Sequence, residues 1–168
     1  MAVTYTTIAS ITLTSFTNNI FFSGIPQTYT DLRLRFTMWD QSGGGANLII
    51  RMNGLSGSQY GQQTFSAYGS NQKLTTLFNN NSSWRLGVRQ TIPTNFDQAM
   101  HGWVDYFGYA GSTNKSGFWY TQISNSTLER SVGTVRTTSG ITSMMLLTSN
   151  GNDFGAGSRA TLYGILRS

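Results

Sequence analysis

Hydrophobic and polar positions alternate most clearly over Leu32-Arg33-Leu34-Arg35-Phe36-Thr37-Met38-Trp39. Leu32, Leu34, Phe36 and Met38 fall on one face and Arg33, Arg35, Thr37 and Trp39 on the other, which predicts a strand with one buried face. After Asp40-Gln41-Ser42-Gly43-Gly44-Gly45 the alternation resumes with Leu48, Ile50 and Met52, so the two runs read as a hairpin. Ile11 and Leu13, then Ile20 and Phe22, flank Asn18-Asn19 and read as a second hairpin, ended by Gly24-Ile25-Pro26.

Downstream, short strand candidates recur at the spacing of a sandwich: 62–68, 73–78, 84–92, 103–109, 117–124, 141–148 and 159–166. Gly and Asn punctuate them at Asn53-Gly54, Gly69-Ser70-Asn71, Asn79-Asn80-Asn81, Gly111-Ser112-Thr113-Asn114 and Asn150-Gly151-Asn152. Only 95–102 has any helical character, and it is long enough for a single turn. No repeat of fixed period and no linker divides the chain. The expected fold is therefore all-β: one domain over 1–168, an antiparallel β-sandwich of jelly-roll or immunoglobulin-like type with little or no helix. Residues 1–7, short, polar and strand-forming, suit an extended N-terminal arm that adds to a neighbouring sheet edge.

Composition narrows the function. The 168 residues include no cysteine and only 10% charged residues, so no disulfide framework, thiolate zinc site or cysteine nucleophile is available. Aromatic residues make up 13%, enough to build a core from few large side chains. The net charge of +5 is the balance of 11 Lys and Arg, scattered from Arg33 to Arg167, against 6 Asp and Glu. A nucleic-acid site asks for clustered cations with stacking aromatics on one face, so no nucleic-acid partner is expected. No apolar run reaches membrane-spanning length, and Met1 to Thr7 lacks the basic and apolar segments of a signal peptide; neither a membrane partner nor export by that route is expected.

Candidate chemistry is sparse. His101, between Asp97 and Asp105, invites a triad with some serine, but no G-x-S-x-G elbow occurs and a hydrogen-bonded histidine is the plainer reading. The six acids offer few pairs for glycoside hydrolysis, and Asp31, Asp40 and Asp153 sit at strand ends or turns where short acids bond local backbone. Gly155-Ala156-Gly157-Ser158-Arg159-Ala160 spells G-x-G-x-x-A, yet a strand-like Ala160-Thr161-Leu162-Tyr163-Gly164-Ile165 follows where a dinucleotide site needs a helix. Asn150 to Asp153 carries one carboxylate and no calcium-loop spacing. The sequons at Asn81, Asn114 and Asn125 arise readily in a chain so rich in Ser, Thr and Asn. The expectation is a non-enzymatic protein with no catalytic residue, cofactor or metal.

The tryptophans Trp39, Trp84, Trp103 and Trp119 and the cluster Phe118-Trp119-Tyr120 fit core packing first and an interface second. Trp39 shares its face with Arg33 and Arg35 and is the leading exposed aromatic, with Arg stacking on its ring. The interface candidates are Tyr5, Arg33, Arg35, Trp39, Trp84 and Trp119.

Several segments are distinctive: Tyr5 to Ser10; Ile20 to Leu32, with its I-P-Q-T-Y-T-D-L run; Asn53-Gly54 with Gly57-Ser58-Gln59-Tyr60; Tyr109-Ala110-Gly111-Ser112-Thr113-Asn114-Lys115; Ser139-Gly140-Ile141-Thr142-Ser143; and the A-T-L-Y-G-I ending. Together they resemble small virion structural proteins of tailed bacteriophages, aquatic and cyanobacterial ones especially. The stretch 65–101 matches little in that family. The resemblance implies a capsid decoration (cement) protein on the outer surface of the head, assembled in the host cytoplasm. It also implies the major capsid protein as partner and self-association, with a trimer preferred. The alternative is a tail-fibre or receptor-binding module contacting host surface glycans, which exposed Trp84 or Trp119 would favour. The resemblance carries over no catalytic residue.

Overall fold

A computed structural model describes residues 3–41, 46–68, 71–87, 92–123 and 127–167. They form twelve strands: β1 Val3–Thr12, β2 Asn19–Phe22, β3 Asp31–Met38, β4 Leu48–Met52, β5 Tyr60–Tyr68, β6 Asn71–Asn81, β7 Trp84–Arg85, β8 Met100–Phe107, β9 Lys115–Ile123, β10 Thr127–Val135, β11 Met144–Thr148 and β12 Arg159–Arg167. The one helical element among the described residues is a 3-10 turn, Phe96–Gln98, capped by the Asn95 side chain accepting from the Asp97 N–H.

All pairing is antiparallel, in an eight-stranded sheet ordered β1-β12-β3-β8-β9-β10-β5-β6 and a four-stranded sheet ordered β2-β11-β4-β7. Eight strands pair in nested fashion, β1 with β12, β2 with β11, β3 with β8 and β4 with β7, and along these eight the chain alternates between the sheets except from β4 to β7, which pair with each other. That is a double ribbon rolled on itself, the jelly roll rather than the immunoglobulin-like alternative, whose sheets divide their strands differently. The pairs β5–β6 and β9–β10 are inserted after β4 and after β8, and they widen one sheet only.

The expected hairpins do not form. β1 and β2 lie in different sheets, as do β3 and β4, because each connection crosses the sandwich. Alternation marks a strand with one buried face but not its partner. The glycine run 43–45 lies outside the described residues. Residues 3–7, expected as an arm, are instead the first half of β1, registered Val3 to Arg167 through Thr7 to Tyr163 with an irregularity between Thr7 and Ala9; residues 1–2 lie outside the described residues. The strand expected over 84–92 shrinks to Trp84–Arg85, with 88–91 outside the described residues.

Leu32, Leu34, Phe36 and Met38 of β3 are buried as the alternation predicts. They meet Ile20 and Phe22 of β2, Leu48, Ile50 and Met52 of β4, and Met144 and Leu146 of β11 in one core. Under the widened half sits Trp84, stacked between Tyr106 (centroids 5.7 Å apart) and Trp119 (5.0 Å), with the edge of Tyr60 at 6.3 Å. Its indole N–H donates to the carbonyls of Gly61 and Thr134 at 3.1 and 3.2 Å. Gly117 and Gly133 make room for it, since a Cβ at either would stand 2.8 or 2.6 Å from the indole.

Segments around 25–27, 53, 109 and 140–143 of the distinctive set come together. Asn53, at φ 51°, accepts on its side-chain oxygen from the N–H groups of Thr142 and Ser143 and donates to the Gly140 carbonyl. Gln27 donates to the carbonyls of Ile25 and Ile141, and the Tyr109 hydroxyl donates to the Pro26 carbonyl. Lys115, fully buried, turns its ammonium back onto the carbonyls of Gly111 and Thr113. These segments thus tie loops together, each satisfying backbone groups that the strands leave open.

Candidate functional site

The four-stranded sheet shares its core with one face of β12, β3 and β8, so side chains of opposite parity point outward across the wide sheet. Cross-strand register arranges them in rows. Arg159, Thr37, His101 and Gln122 form one; Thr161, Arg35, Trp103, Tyr120, Arg130 and Phe65 the next; Tyr163, Arg33, Asp105, Phe118, Val132 and Gln63 the third.

The centre of this face is held by charge and stacking. Arg33 grips Asp105 with two parallel bonds, Nε to Oδ1 and Nη2 to Oδ2, both 2.6 Å, a bidentate charge-assisted pair. The hydrogen bonds it donates to Asp105 raise the Arg33 pKa above its ordinary value, against the opposing effect of burial. Its guanidinium carbon lies 5.5 Å from the Tyr5 ring centroid and 5.9 Å from that of Trp103, and Trp103 stacks on Tyr120 at 4.6 Å. Tyr5, Arg33, Trp103 and Tyr120 thereby run diagonally across β1, β3, β8 and β9 as one chain of interlocked π and cationic groups.

On one side lies an open groove of about 310 Å³ lined by Arg35, Thr37, His101, Arg159, Thr161 and Tyr163 among others. On the other, an apolar depression of about 430 Å³ is lined by Leu77, Phe107, Phe118 and Val132, and Phe65 and Arg130 border Phe118 and Val132. Leu77 is 65% exposed and Val132 52%.

Three of the six expected interface residues meet here: Tyr5, Arg33 and Arg35. The other three are corrected. Trp84 and Trp119 are completely buried in the aromatic stack, where glycines on the facing strands admit them. Trp39 is half-buried and turned onto the 155–158 loop: its indole N–H donates to the Ala156 carbonyl at 2.9 Å, and a Cβ at Gly155 would stand 2.0 Å from its ring. The arginine expected over Trp39 lies over Trp103 and Tyr5 instead. Trp103, Tyr120 and Arg159 were the residues missed. The alternation 101, 103, 105 on a strand opposite 33, 35, 37 is the signal that places Trp103 beside the arginines, but it becomes readable only when β3 is known to pair with β8.

The residues of the triad reading are separated. His101 and Asp105 stand four positions apart on one extended strand, roughly 13 Å. The His101 Nδ1 lies 3.1 Å from the Thr37 hydroxyl, and Asp105 is engaged by Arg33. The G-x-G-x-x-A stretch is a loop entering β12, as its following strand pattern predicts.

No protein-family model matches the chain, and no curated protein does. Among solved structures the chain is similar to the crystal structure of galectin LEC-6 of Caenorhabditis elegans, at 10% identity and a TM-score of 0.37, over 94% of this chain and 96% of that one. At that level the likeness adds nothing to what the strand pairing already shows.

Chemically, the face offers recognition. Cations, hydroxyls and aromatic rings are presented side by side on rigid strands, with an apolar depression at one margin. Such a surface binds by complementarity of charge and shape.

Proposed function

We propose that the chain is a non-enzymatic virion structural protein of a tailed phage, a decoration or cement protein that binds the outer surface of the head and stabilises contacts between major capsid subunits. The observation that carries this reading is the outward face of the eight-stranded sheet. Exposed apolar side chains at Phe65, Leu77, Phe107 and Val132 adjoin the Arg33, Trp103 and Tyr120 cluster, a mixture suited to a protein interface rather than to bulk solvent. The distinctive segments that resemble tailed-phage virion proteins support it as well. A jelly roll hosts both capsid and lectin domains, so the fold fits this role without selecting it. The net charge of +5 suits an acidic shell. Self-association, as a trimer at a local three-fold position, belongs to the same proposal.

The alternative, a glycan-binding tail module, loses the support that exposed Trp84 or Trp119 would lend it, since both are buried. Gold labelling of the chain on intact virus particles separates the two. Label spread over the head is the expected result; label confined to the tail end would overturn the cement reading in favour of the receptor-binding one.

A further inference from the structure

We propose that the groove between β3 and β12 is a binding site for a doubly charged tetrahedral oxyanion: phosphate, either free or as the end group of a monoester. The site does not rest on the reading above and would serve a protein on the head or on the tail alike.

Arg35 and Arg159 both border the groove, and the register sets them diagonally across neighbouring strands: Arg159 opposite Thr37, and Thr161 opposite Arg35. Both side chains are exposed. Among the described residues neither has an ion-pair or hydrogen-bond partner, whereas Arg33, one row away, is spent on Asp105 and Arg167 on Asp31. Among the described residues no carboxylate lines the groove. Two like charges on one patch of sheet repel each other, an arrangement that costs stability unless something fills the space between them.

The remaining lining chooses what fills it. Thr37, Thr161 and Tyr163 contribute hydroxyls and His101 a ring nitrogen, so the groove sets hydrogen-bonding groups around two guanidiniums, Thr37 and His101 already bonded to each other and Thr161 to Ser10. Guanidinium matches the oxygen spacing of phosphate, and two of them balance a dianion where a single carboxylate would leave one charge over. The groove is open along the sheet, so the phosphate can carry a substituent out into solvent. A nucleic-acid backbone is a different case, because each diester carries one charge and tight binding would recruit many cations in line.

The test is titration of the intact, isotope-labelled protein with inorganic phosphate, sulfate as a shape-matched dianion, a simple alkyl phosphate monoester, and acetate, all at constant ionic strength, read by amide chemical shifts. The expected result is saturable shifts confined to β3, β8 and β12 around residues 35–37, 101 and 159–161, with phosphate and sulfate at least tenfold tighter than acetate. A monoester that binds more tightly than inorganic phosphate identifies the ester as the source, and the reverse identifies the free ion. R35Q and R159Q should each weaken binding about tenfold or more, while R130Q, on the same face outside the groove, should leave it unchanged. Because the two cations repel, R159Q without anion should be at least as stable as the parent, a result that a merely structural role for Arg159 would not give. Equal affinity for acetate and phosphate, shifts that do not saturate, or undiminished binding in the R35Q/R159Q double variant would each overturn the proposal.

Discussion

The ring of Tyr29 lies directly over Gly164: a Cβ at position 164 would stand 2.4 Å from the ring carbons. The two residues come from the distinctive I-P-Q-T-Y-T-D-L and A-T-L-Y-G-I segments, far apart in sequence and brought together where the chain leading into β3 crosses β12. The atoms in the way belong to the base of the ring, so a methyl group there displaces the whole side chain and the backbone that carries it. Gly164→Ala should cost about 1–3 kcal/mol, the usual penalty for overpacking. In Tyr29→Ala the same change should cost much less, and a double-mutant cycle by urea denaturation would read the coupling. Equal costs in the two backgrounds would mean that the ring is not what excludes a side chain.

Trp84 has lost all contact with solvent, yet its strand is only two residues long. Its stability comes from the stack with Tyr106 and Trp119 and from two hydrogen bonds to sheet carbonyls. Trp84→Ala should therefore lose about 3–5 kcal/mol, a large share of the roughly 5–15 kcal/mol that holds a domain folded. Trp103→Ala, on the outward face and half-buried, should lose clearly less. Chemical denaturation of both variants checks the order, and a Trp103 variant as unstable as the Trp84 one would contradict it.

These two tryptophans also mark how far the sequence could be read. The inward run of β3 was legible because each buried position is strongly apolar. β10 was not anticipated, and its burial pattern explains why: Thr127, Glu129 and Ser131 face inward while Leu128 and Val132 face out, the reverse of the usual pattern. The buried polar groups are satisfied by side chains across the sheet, Ser131 with Thr64 at 2.7 Å and Glu129 with Ser66 at 3.2 Å. Partner choice was equally illegible, because the roll joins β1 to β12 and β3 to β8 across long stretches of chain that local alternation does not see. Hence Tyr5, Arg33 and Arg35 were legible as interface candidates, whereas Trp103 and Arg159 joined them only through pairing.

Lys115 presents a charge problem that pH can expose. Its ammonium is buried and donates to two loop carbonyls, and among the described residues no carboxylate pairs with it. Burial lowers its pKa from the ordinary 10.5. Between the lowered folded value and the unfolded value the unfolded chain binds more protons, so stability due to this group rises with pH across that window. The stability of the parent relative to Lys115→Met should accordingly increase as pH climbs towards 10.5, measured by urea denaturation at matched ionic strength. A difference that stays flat or falls would show that the ammonium is effectively solvated.

Tyr106 has the opposite sign and takes over at higher pH. Its hydroxyl is buried beside Trp84 with no hydrogen-bond partner among the described residues, and desolvation raises its pKa well above 10.0, with Tyr60 adding to the effect. The unfolded chain therefore releases this proton first. Stability from the group is complete below pH 10 and falls as pH rises from there towards the folded value. Burial likewise raises Tyr60 and Tyr109, so the parent should lose stability steeply above pH 10, and Tyr106→Phe should remove part of that loss. The same variant deletes an unsatisfied buried hydroxyl while keeping the stacked ring, so at neutral pH it should be more stable than the parent by about 1 kcal/mol. Thermal or urea unfolding of the pair at pH 7 and above pH 10 checks both effects, and a neutral-pH loss of stability in Tyr106→Phe would mean that the hydroxyl has a partner, such as a buried water.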